Sequence, residues 1–186
     1  MPHVAPSVDA PSVVPSPERA RRIVALGFDS PLRAQEALLA ALRLQERQLL
    51  AVHDAVLVSR HGEGPPEVTD TMDPTAVAAA VPSSLFGALI GTLVAGPLGF
   101  LIGGVLAGGT GAIAAKLIDT GIPYRTIVEL QDLTRPGQTV LALLVSDIAG
   151  IAVIEELRRF QGAEVVYAEL PPAALELVRQ VLAPAS

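Results

Sequence analysis

The sequence predicts an α+β fold: a ferredoxin-like split βαβ sandwich with a long inserted glycine-rich helical hairpin. Three observations predict it. Ile23 to Arg60 and Thr139 to Leu170 share one plan, in which a strand, a turn of Asp and Ser, an amphipathic helix and a second strand follow one another. Between them, Pro74 to Ala115 contains no Asp, Glu, Lys, Arg or His, and nine of the chain's 16 glycines fall there. Two βαβ units in series form a four-stranded antiparallel sheet with helices on one face. The other face is then open for dimer packing. The organisation expected is a Pro-rich extended arm over 1–20, a first βαβ half over 21–72, the hairpin over 73–119, a connecting helix over 120–137, and a second half with a C-terminal helix over 138–186.

Met1 to Ser16 is rich in Pro, Ser and Val, a composition for extended chain without regular structure. It suits a loose tail, or an arm lying on a neighbouring subunit. Ile23 to Phe28 is a continuous apolar run and predicts a buried strand. Ser30 suits the cap and Pro31 the first position of a helix whose apolar face carries Ala34, Leu38, Ala41, Leu42 and Leu49. Ala55 to Ser59 predicts the second strand, and Gly62 to Pro66 a turn. After the hairpin, Ile127, Leu130 and Leu133 mark a helix that Arg135-Pro136-Gly137 stops. Thr139 to Val145 predicts a strand. A helix capped by Ser146 or Asp147 follows, with Ile151, Ile154, Leu157 and Phe160, and Gly162 ends it. Glu164 to Leu170 predicts the last strand, and Pro171-Pro172 opens the last helix.

The hairpin's glycines recur at one-turn spacing: Gly87/Gly91, Gly99/Gly103 and Gly104/Gly108, with Gly96 and Gly111 completing the candidate packing stripe. Each pair clears side chains from one face, so another helix backbone can approach closely. In water each such Gly costs a helix about 1 kcal/mol relative to Ala, so packing or a bilayer has to compensate. Gly96-Pro97 predicts the break between Thr75–Ala95 and Leu98–Ile118. Each of these runs is about 31 Å long as helix, against a hydrocarbon core of about 30 Å. A helix that starts only after Pro82 is too short to span upright. The flanks carry few cations and no aromatic belt. The hairpin therefore reads either as a membrane insertion or as a core buried between copies of the chain.

Composition narrows the function. A net charge of −6 without a basic stripe argues against nucleic-acid binding. Without cysteine there is no thiolate catalysis, disulfide or cysteine-ligated metal. Aromatics are only 3%, which disfavours an aromatic ligand pocket. The first twenty residues hold five prolines and no Lys or Arg before Arg19, unlike a secretory leader. The location expected is the cytoplasmic membrane with the polar parts facing the cytoplasm, or a soluble cytoplasmic assembly.

Val24 to Ser30, Asp54 to Arg60, Asp73 to Thr75, Gly87 to Leu117, Thr134 to Gly137 and Leu141 to Val166 together resemble the bacterial domain-of-unknown-function family 1269. The resemblance covers roughly residues 22 to 180 and is most specific at Asp73-Pro74-Thr75 ahead of the GPLG-centred run. It implies a predicted glycine-zipper membrane protein and supplies no site residues.

No catalytic or cofactor constellation emerges. Gly109-Thr110-Gly111-Ala112-Ile113-Ala114 matches a loose dinucleotide pattern but lies inside an apolar helix, without the strand and acidic residue that chemistry needs. His3, His53 and His61 lack metal-ligand spacing and read as solvated, and His61 with Glu63 and Asp70 makes only a weak surface set. Asp29 and Asp147 read as helix caps, and Glu155, Glu156, Arg158 and Arg159 as a solvated face. The expectation is a non-enzymatic, self-assembling homo-oligomer without metal or cofactor, with the bilayer as a further partner. The alternative is a small-molecule-sensing regulatory module whose ligand the sequence does not name.

Overall fold

A computed structural model describes residues 21–62, 64, 66–71, 85–102, 119–174 and 176. The chain runs β1 (Arg22–Phe28), α1 (Pro31–Glu46), β2 (Ala51–Ser59), β3 (Glu67–Asp70), α2 (Leu85–Ile102), α3 (Tyr124–Leu133), β4 (Thr139–Ser146), α4 (Gly150–Leu157), a 3₁₀ turn (Arg158–Phe160) and β5 (Glu164–Glu169). All five strands form one antiparallel sheet in the order β3-β2-β4-β1-β5.

The expected strands are present, β2 starting earlier than predicted, at Ala51. β3 was not anticipated: its four residues, EVTD, pair with Val56 to Ser59. β4 sits between β2 and β1 and is buried at every position. That environment explains why TVLALLV reads as an unbroken apolar run rather than an alternation.

The sheet is covered on both faces, not on one. On the first face, Leu26, Phe28, Val52, Ala55, Leu141, Leu143 and Val145 meet the small-residue side of α1, formed by Ala34, Ala37, Ala40, Ala41 and Leu44. The alanines let the helix lie close to the strands. α4 lies over the same face through Val153 and Leu157 but has no fully buried residue of its own. Phe160 closes this side edge-to-face on Phe28, with ring centroids 6.0 Å apart.

On the second face, Ile23, Ala25, Val56, Val58, Val140, Ala142, Leu144 and Val166 pack against α2 and α3. Phe86, Leu89, Ile90 and Leu93 recur at helical spacing and are all but inaccessible. They meet Ile127, Leu130 and Leu133 of α3 in the same core. Burying each such side chain contributes about 1.5–3 kcal/mol. The face expected to be open for dimer packing is thus filled by α2, from within the uncharged run, and by α3.

Two further expectations change. α2 continues through Gly96-Pro97 instead of ending there. A proline inside a helix leaves the carbonyl four residues earlier without its N–H, here that of Leu93. Gln131 of α3 supplies the replacement, its Nε2 donating to the Leu93 oxygen at 3.0 Å. Neither Ser146 nor Asp147 caps α4, which begins after Ala149. Ser30 does occupy the position before α1, with Pro31 following, but makes no side-chain cap. The arm over 1–20, residues 75–84 of the first predicted hairpin helix and all of the second beyond Ile102 up to Ile118 lie outside the described residues.

Candidate functional site

The two polar residues His53-Asp54 interrupt an otherwise apolar strand, and there β2 carries a bulge. Val52 pairs with Val145 and Asp54 with Leu144, so His53 is the extra, unpaired residue. The end of α1, the strand itself and the loop between them stabilise this geometry. Gln45 Oε1 accepts the Val52 N–H at 2.8 Å, Asp54 Oδ1 accepts the Ala55 N–H at 2.8 Å, and Leu49 O accepts the Ala149 N–H at 2.8 Å.

The bulge brings His53 against the end of β4. His53 Nε2 lies 2.8 Å from Ser146 Oγ, and the Ser146 hydroxyl donates to Asp147 Oδ2 at 3.0 Å. Because the serine proton goes to Asp147, Ser146 Oγ accepts from His53 Nε2–H. In the neutral imidazole this leaves the lone pair on Nδ1. Asp147 adopts a left-handed backbone, φ 53°, a conformation that Asp tolerates better than most residues. Partial burial holds the His53 imidazole below its ordinary 6.5, the Arg21 guanidinium pushes the same way, and the Asp147 carboxylate opposes both.

These three residues line an open cleft of about 1300 Å³. Its other walls are the turn before α3 and the chain leaving β5. Gly121 shapes that turn, with φ 101°, a conformation that L side chains rarely adopt. Arg21 and Arg125 supply cations and His53 an acceptor nitrogen, while Asp147, Glu169 and Glu176 supply carboxylates. Charges of both signs suit a small polar ligand with donors and acceptors of its own. The arrangement differs from an activated serine nucleophile. Ser146 is 1% exposed, and its proton is directed to a carboxylate rather than to the imidazole that would have to remove it.

The sequence missed this constellation. It placed His53 in solvent and made Asp147 a cap. The available signal was the polar His53-Asp54 pair inside an apolar strand, but its partner Ser146 is 93 residues away. Among the described residues no group of three His, Asp or Glu is placed to hold a metal. His61 lies in the turn, and Glu63 falls outside the described residues.

The glycines predicted to pack helices lie elsewhere. Gly87 and Gly91 are in α2 and line no part of the cleft. The Cβ position of Gly91 faces Val68 of β3 at 3.5 Å, so its neighbour is the chain's own sheet. Gly96 and Gly99 continue the same helix. Gly103, Gly104, Gly108 and Gly111, with the Gly109 to Ala114 pattern, are outside the described residues. Among the described residues no helix is long and apolar enough to cross a membrane.

No curated protein and no solved structure matches the chain. A family model described as a protein of unknown function, DUF1269, matches residues 80–183. That match spans more than half of the sequence and takes in α2, α3, β4, α4 and β5, and by it the chain belongs to the DUF1269 family.

Proposed function

We propose that this protein is a non-enzymatic, self-assembling homo-oligomer and a membrane-associated scaffold, in which a folded α+β domain anchors a glycine-zipper hairpin. The observation that carries the reading is the burial of α2. Phe86, Leu89, Ile90 and Leu93 are sealed against the domain's own sheet, while the uncharged, glycine-rich sequence continues on to Ala115. A segment so apolar needs further cover from lipid or from other copies. The order β2-β4-β1-β5, with α1 and α4 as the crossovers on one face, supports a ferredoxin-like assignment with β3 added at the edge. The scaffold would sit on the cytoplasmic membrane with its domain in the cytoplasm, or form a soluble cytoplasmic assembly with the hairpins inside. Membrane fractionation followed by particle-mass measurement tests this. A detergent-dependent or large particle, made smaller by Gly103→Leu with Gly104→Leu, is expected. A monomer without detergent, unchanged by that double substitution, defeats the proposal.

A second reading, small-molecule sensing, is favoured by the mixed-charge cleft around His53, Ser146 and Asp147. A thermal-shift screen of polar metabolites, repeated on His53→Ala, is its test. A wild-type shift that His53→Ala abolishes supports sensing, and a flat response counts against it.

A further inference from the structure

With both faces of the sheet covered by helices among the described residues, the sheet itself can meet a second copy only at its edges. Resting on the self-assembly reading above, we propose that β5 is the contact through which two copies of this chain join their sheets about a two-fold axis. β5 is an edge strand, unpaired on its outer side among the described residues. Val165 and Tyr167 are 53% and 54% exposed on the face that carries α4, where Ile151 and Ile154 are also exposed. The opposite edge, β3, has four residues with an acid at each end, a poor template for association.

The backbone of β5 restricts how such a pair can form. The Leu170 N–H donates to the Arg21 carbonyl at 2.9 Å. Alternation along an antiparallel pair then turns the backbone groups of Glu164, Val166 and Ala168 toward β1, and those of Val165, Tyr167 and Glu169 outward. A two-fold copy can match only outward residue with outward residue. This excludes the register that would set Glu164 against the partner's Glu169.

Of the allowed registers, the one centred on Val166 sets Val165 opposite the partner's Tyr167, and Tyr167 opposite the partner's Val165. Aromatic and β-branched residues in cross-strand pairs stabilise sheets. The same register places Glu164 opposite the partner's Ala168 and Glu169 opposite the partner's Ala163, so no like charges meet. Moving the centre to Tyr167 would place Val165 against the partner's Glu169, and moving it to Val165 would place Tyr167 against the partner's Ala163. Self-complementarity of apolar pairs and charges therefore selects a second copy as the occupant and Val166 as the centre.

The test compares particle masses of the full chain in one detergent, with circular dichroism confirming the fold of each variant. V165K/Y167K sets lysine opposite lysine at both crossings, and its particle should fall to half the wild-type mass. V165K/Y167E changes the same positions but sets opposite charges together, and should keep the wild-type mass. A full-mass V165K/Y167K particle overturns the edge contact. Loss of mass in both folded variants overturns the Val166-centred register. A particle reduced by Gly103→Leu with Gly104→Leu but untouched by V165K/Y167K retains self-assembly while removing this interface, whereas a monomeric wild type removes both.

Discussion

Gln131 donates a hydrogen bond to the one carbonyl, that of Leu93, whose helical partner would have been the N–H missing from Pro97. A side chain from α3 thus lets a proline stand inside α2 with its backbone acceptor satisfied. Replacing Gln131 by Ala should cost about 1–3 kcal/mol, the penalty for an unpaired polar group in a part-buried setting. On a Pro97→Ala background, which returns the N–H, most of that penalty should vanish. A double-mutant cycle by chemical denaturation measures the coupling.

His53 should titrate below 6.5 in the folded protein. Asp147→Asn removes the opposing carboxylate and should lower the midpoint further, while Arg21→Gln should raise it. The unfolded chain takes up the proton first. The stability associated with neutral His53 is therefore present above about pH 6.5 and declines as pH falls from there through the folded midpoint. Imidazole NMR titration of wild type and both variants measures the three midpoints.

Gly91→Ala should be neutral or stabilising by up to about 1 kcal/mol, because alanine favours helix. The new methyl would meet Val68 at an ordinary 3.5 Å. Gly27→Ala should behave oppositely: its Cβ would come within 3.0 Å of the Leu133 side chain, and crowding of that kind costs about 1–3 kcal/mol. Denaturant midpoints of the two variants should move in opposite directions, or only that of Gly27→Ala should move.

Phe86→Ala should destabilise the whole domain by about 3–5 kcal/mol, the cost of emptying a buried aromatic site. Phe86 is 1% exposed and belongs to the core that includes β1, β2 and β4. If α2 were a detachable appendage, the sheet would melt unchanged. Amide exchange of β4 followed through denaturation distinguishes these outcomes.

Much of the fold was legible because its signals are local. Ala34 and Ala41 on the buried side of α1, the spacing of Ile127, Leu130 and Leu133, and the stop at Gly137, which adopts φ 82°, all act within a few residues, although α1 buries Ala37, Ala40 and Leu44 where Leu38, Leu42 and Leu49 were expected. β3 escaped notice because EVTD is short and acidic at both ends. It forms by pairing with β2 rather than by its own propensity. The continuation of α2 through Pro97 was hidden because the donor that replaces the lost N–H stands in another helix. Likewise His53 became a site residue only when a bulge carried it to Ser146, on a strand distant in sequence. Over Phe86 to Val94 the uncharged run signalled burial correctly, but composition does not distinguish a sheet from lipid as the covering partner.

The central position of β4 imposes a timetable on synthesis. β1 pairs with β4 across more than a hundred residues of intervening chain, from Arg22 to Val145. β2 also relies on β4 for most of its ladder. A growing chain therefore completes β1, β2 and the entire uncharged run before the strand that unites the sheet has been made. Pairing over such distances is slow, and the unfinished chain displays its apolar strands meanwhile. The ribosome must pass Ser146 before the domain can shield what it has already made.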